Sequence, residues 1–99
     1  MGKLQRITVD VLMVDGTEHT GIEIIGADRQ RWSEVAPRHK WPTQQDDPDL
    51  WLRFLCWAAL YRLRLYPQGY DSFCGDVSVY ELDESAGEVD PTPPTTTAA

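Results

Sequence analysis

Between Pro48 and Tyr66 the chain reads PDLWLRFLCWAALYRLRLY, and 14 of these 19 residues are apolar or aromatic. A surface helix of a small domain needs one apolar stripe, somewhat under half of its circumference. This run is apolar on nearly every side, in a chain of only 99 residues. Its own core is expected to cover one face, leaving the remainder for self-association or for an apolar partner. The start is well marked: Asp47 as N-cap, Pro48 at the first helical position and Asp49 at the positive helix end. Pro67 and Gly69 are the expected stop, and Arg62 and Arg64 suit the negative end.

The same run decides the membrane question. Nineteen residues in a helix span about 28 Å, close to a bilayer core. Arg53 lies inside the run, however, and Arg62 and Arg64 interrupt its last third. Each central arginine costs roughly 2.5–3.5 kcal/mol on insertion, against about 0.5 returned by a leucine. The N-terminus MGKLQRITVD does not read as a signal peptide. A soluble, cytoplasmic chain is expected. The net charge of −7 argues against nucleic acid and against an anionic membrane surface, since both require clustered Lys and Arg.

Upstream, LQRITVDVLMV and TEHTGIEII flank Asp15-Gly16, a strong hairpin signal. With Asp15 and Gly16 as the two turn residues, Ile7 faces Ile24, Val9 faces Ile22 and Val11 faces Thr20 on one side. Thr8–Glu23, Asp10–Gly21 and Leu12–His19 then form a polar opposite side. Asp28 is the expected N-cap of a helix reaching about His39, with Trp32, Val35 or Ala36, and His39 pointing inward. Pro37 interrupts that helix or kinks it. Residues 70–82 are ambiguous: Ser72–Asp76 could form one helical turn, and Val77–Leu82, rich in strand formers, reads as either strand or helix. From Asp83 onward there is no apolar periodicity and there are three prolines, the composition of a disordered tail. The expected fold is α+β: a hairpin, with Val77–Leu82 as a candidate third strand, packed on two main helices. Residues 1–82 form the single domain and 83–99 the tail.

Catalytic signatures are weak. His19, His39, Cys56 and Cys74 have no ligand-pair spacing, and Cys56 in an apolar run is expected to be an inert thiol. Asp46, Asp47 and Asp49 are accounted for by helix capping. No enzyme activity, cofactor or metal is expected. Four tryptophans are the better lead, because aromatics and arginine dominate binding hot spots. The expected core is Ile7, Val9, Ile22, Ile24, Trp32, Phe54, Trp57 and Tyr61. The expected partner or oligomer surface is Trp41, Trp51, Leu55, Arg62 and Leu65.

The order of these signals resembles a known family. The hairpin around DGTE leads to Trp41-Pro42 and an acidic gap. The pattern Phe54-x-x-Trp57-x-Ala59-x-x-Arg62 follows, then Phe73 before a Val-rich acidic stretch. Over residues 4–82 this looks like the small tail assembly chaperones of long-tailed phages with tail assembly of the lambda type, especially phages of actinobacteria. The chain departs from that pattern at Pro37 and Arg64. The resemblance implies a non-enzymatic α+β chaperone that coats the tape measure protein in the host cytoplasm while the tail tube polymerises, and is absent from the mature virion. It also implies a frameshifted longer form as a second product, the Pro/Thr tail from Asp90 ending the short one. The alternative is a minor structural or connector component retained in the virion.

Overall fold

The computed structural model describes residues 5–88, with side chains described over 7–83. Three strands, β1 (Gln5–Met13), β2 (Glu18–Ile24) and β3 (Val77–Glu88), form one antiparallel sheet in the order β2-β1-β3. Helices α1 (Gly26–Arg38), α2 (Pro48–Arg62) and α3 (Tyr70–Asp76) lie between β2 and β3 in the chain. The fold is α+β, as expected. Residues 89–99 of the expected tail lie outside the described residues. Residues 83–88 correct that expectation: they continue β3 and pair with β1 as far as Gln5↔Glu88. Low apolar content did not prevent pairing here, because a strand is held by backbone bonds as well as by buried side chains.

The hairpin forms, but its turn is one residue longer than expected. Met13 N–H donates to Thr17 O at 2.8 Å and Gly16 N–H to Met13 O at 3.0 Å, so Val14, Asp15 and Gly16 all belong to the loop. Gly16 takes φ +94°, as the last loop position of a three-residue hairpin requires. The Asp15 carboxylate accepts from Thr17 N–H at 2.9 Å, and this bond holds its pKa below the usual value. The register near the turn is therefore Val11↔His19 and Leu12↔Glu18. A bulge between Val9 and Val11 then restores the expected pairs Val9↔Ile22, Thr8↔Glu23 and Ile7↔Ile24. Gly21 absorbs the extra residue at φ +64°, its N–H donating to the Asp10 carboxylate at 2.8 Å. Thr20 is exposed in consequence, not inward.

Val9, Val11 and Met13 of β1 and Ile22 and Ile24 of β2 are buried, each strand turning alternate residues to the core. Against them lies α2, which also packs on α1 and α3. This arrangement overturns the expectation that one face of the helix is all the chain can cover. Every residue from Phe54 to Leu60 is buried, because sheet, α1 and α3 surround the helix within one chain. Asp47 caps it as expected, accepting from Leu50 N–H at 3.1 Å.

Both long helices end in the same device. Trp41 N–H donates to Ala36 O and Lys40 N–H to Pro37 O; likewise Leu65 N–H donates to Leu60 O and Arg64 N–H to Tyr61 O. These are paired 6→1 and 5→2 bonds around a left-handed residue, a position glycine usually fills. Here Lys40 (φ 56°) and Arg64 (φ 62°) fill it. The helix α2 thus stops at Arg62, earlier than Pro67 and Gly69 implied. Pro37 sits in the last turn of α1, where its ring does not split the helix. Asp28 is not the N-cap either. Ile25 is, and the Asp28 carboxylate reaches back to accept from Ile25 N–H at 3.0 Å.

Candidate interaction surface

Of the five residues expected at a partner surface, Leu65 is well exposed, at 46%. Leu55 is fully buried among the core side chains, which corrects its assignment: it lies on the side of α2 that the rest of the chain encloses. Trp51 is half-buried and packs on the core. Trp41 joins an aromatic cluster, stacked on Trp32 (5.8 Å between ring centroids) and His39 (4.9 Å) and edge-on to Phe54 (5.7 Å). Arg62 is held by a buried carboxylate.

Among the expected core residues, Val9, Ile22, Ile24, Phe54 and Trp57 are buried, and Ile7 and Trp32 are half-buried against the same core. Tyr61 is the exception, being 41% exposed. It follows Phe54 and Trp57 in the helical stripe, but its ring lies beside Trp57 (5.2 Å between centroids) and under the exposed Arg31 guanidinium (5.6 Å), outside the buried cluster. Phe54 is the hub of the aromatic cluster, within 5.4–5.7 Å of Trp32, Trp41, Trp57 and Tyr70. Trp57 satisfies its indole N–H on Gln68 O at 2.8 Å. The tryptophans thus serve first as core and clamp.

Half of the exposed large apolar residues lie where α2 ends, while Val14, Ile25 and Val79 lie elsewhere along the chain. Tyr61, Leu63 and Leu65 are 41–46% exposed. Leu65 lines a groove of about 300 Å³ that also touches Val14, the exposed residue of the hairpin turn. Next to Tyr61 lies a larger cleft, about 610 Å³, between the start of α1 and the end of α2, lined by Asp28, Arg31, Tyr61, Arg62, Arg64 and Pro67. Asp28, 2% exposed, accepts from Arg62 Nε and Nη2, both at 3.1 Å, and Nη2 also donates to Glu23 O at 2.8 Å. Arg31 lies over the Trp57 and Tyr61 rings, 5.7 and 5.6 Å from their centroids. Arg31, Arg64, Tyr61 and Leu63 were missed as surface residues in the sequence. The available signal was the alternation Tyr61-Arg62-Leu63-Arg64-Leu65, which is legible as surface only once the helix is known to stop at Arg62.

A second polar cluster lies at the other end of α2. Arg53 Nε donates to Tyr70 Oη at 3.0 Å, and Tyr80 Oη donates to the Asp49 carboxylate at 2.6 Å. Burial pushes the Tyr70 and Tyr80 hydroxyls up to about 12. Cys56 and Cys74 are free; burial drives the Cys56 thiol up to about 12, as its apolar surroundings imply, so it is a poor nucleophile. Among the described residues no three His, Cys, Asp or Glu side chains are grouped so as to hold a metal ion. No helix among them is long and apolar enough to cross a membrane.

No family model, curated protein or solved structure matches the chain.

Proposed function

We propose that this chain is a tail assembly chaperone of a long-tailed phage. It is a non-enzymatic protein that binds the tape measure protein in the host cytoplasm and leaves before the virion is complete. The sequence resemblance supports this reading, and one feature of the fold carries it: an exposed surface of Tyr61, Leu63 and Leu65 with Arg31 and Arg64, on a chain of net charge −7. Aromatic, leucine and arginine side chains set together on a charged exterior suit transient cover of an apolar segment, while net charge keeps the free chaperone dispersed. The buried middle of α2 takes no part, so the binding surface moves from the flank of that helix to its C-terminal end. Self-association is proposed through the apolar pair Val14 and Leu65. The frameshifted longer form would share the same surface.

Co-expression with the tape measure protein of the same genome tests the reading. The two proteins should co-purify, and Leu63→Asp with Leu65→Asp should abolish capture while the chain stays folded. Mass spectrometry of purified virions should lack the chain; its presence there would favour a retained tail component instead.

A further inference from the structure

We propose that the arginine cleft between α1 and α2 is a docking site for an acidic side chain borne by an apolar segment of another protein. The inference rests on the chain being a binding protein, and adds the chemistry of what it binds. Three arginines face one carboxylate, so the cleft is net positive in a protein of opposite overall sign. Asp28 is already satisfied by Arg62 and by Ile25 N–H, and Arg62 keeps Nη1 without a hydrogen bond among the described residues. Arg31 and Arg64 have no ion pair there. Arg31 is nonetheless positioned, by the Trp57 and Tyr61 ring faces. Pre-placed guanidinium groups recognise carboxylates in a planar, two-bond geometry. The exposed Tyr61 ring and Pro67 beside them provide apolar wall for the residues flanking that carboxylate.

Charge selects the occupant. A two-fold dimer built around this cleft would set Arg31 and Arg64 of one copy against the same residues of the other, a like-charge contact that disfavours self-pairing. A doubly charged phosphate would meet Asp28 at close range, whereas a carboxylate carries half that repulsion. An acidic, apolar protein segment meets both conditions.

The test is titration of the whole chain with a short peptide of alternating glutamate and leucine, followed through the Trp57 indole N–H resonance. A matching glutamine–leucine peptide and inorganic phosphate are titrated in parallel, and the mass of the chain is measured alongside. The glutamate peptide should bind at least tenfold more tightly than the glutamine one. Arg31→Glu with Arg64→Glu, both exposed positions, should lower its affinity at least tenfold with an unchanged far-ultraviolet spectrum. Equal binding of the two peptides, or no effect of the double variant, would overturn the proposal. So would phosphate reproducing the peptide's shifts, which would mark a small-anion site, or a dimer lost in the double variant, which would make a second copy the occupant. Capture of the tape measure protein separates the two readings. Peptide binding without capture would sink the chaperone and keep the cleft; capture retained by the double variant, with peptide affinity unchanged, would do the reverse.

Discussion

Lys40 and Arg64 hold their helix ends in a backbone conformation that disfavours any side chain with a Cβ by about 1–2 kcal/mol. Glycine at either position relieves this, though it also loses more freedom on folding. Lys40→Gly is therefore expected to stabilise the chain by roughly 0.5–1 kcal/mol in equilibrium denaturation. Arg64→Gly should stabilise similarly while weakening binding in the cleft, so the two substitutions separate stability from recognition. Gly21 presents the opposite case. Nothing lies within 4 Å of a Cβ built there, yet its φ is +64°. Gly21→Ala should cost about 1 kcal/mol through backbone strain alone, measurable as a lower denaturation midpoint with no change in the core. Neither helix-end residue was legible in the sequence, because Lys and Arg carry no signal for a left-handed conformation. Gly21 was equally silent: read as a paired strand residue, it gave no hint of the bulge that shifts Val11 onto His19.

The Asp28–Arg62 pair works between elements, tying the first turn of α1 to the last turn of α2 and, through Glu23 O, to the end of β2. Removing the carboxylate strands a guanidinium and leaves Ile25 N–H without its acceptor. Asp28→Ala is expected to cost about 3 kcal/mol, toward the low end for a buried pair because the Arg62 side chain is 28% exposed. Denaturant unfolding measures it, and Arg62→Met should cost less, since Asp28 keeps one backbone donor. At this scale the sequence was informative about existence and weaker about ends. The hairpin, α2 with its Asp47 cap, and the inward alternation of Val9, Ile22 and Ile24 follow from period and capping chemistry alone. What failed was the inference that the rest of the chain could cover only one face of an all-round apolar helix. A helix enclosed by a sheet and two other helices has the same composition, and only the packing tells them apart. Leu55→Ala accordingly tests the core and not an interface: about 3 kcal/mol of stability should be lost.

For the molecule as a whole, alkali is the expected weakness. The Cys56 thiol is raised by burial from its ordinary 9.0 to about 12, and the Tyr66 hydroxyl from 10.0 to about 12, by burial and then by its bond to Asp76. Both groups keep their protons in the folded chain over a range in which the unfolded chain has lost them. Stability is thus complete below about pH 9 and declines as pH rises toward 12. Denaturation midpoints should fall between about pH 9 and pH 12, and Cys56→Ala should flatten the earlier part of that decline. The sheet order carries a kinetic consequence of its own. Its central strand is the first made, and one of its two neighbours is the last, with Gln5 opposite Glu88. Until β3 emerges, one edge of β1 is an open template, and closing it requires contacts between the two ends of the described chain. Loop closure on that scale slows folding and exposes a strand edge while synthesis proceeds. This small domain is expected to complete its sheet only once β3 has been made, and a circular permutant that links β3 directly to β1 should fold faster than the natural order.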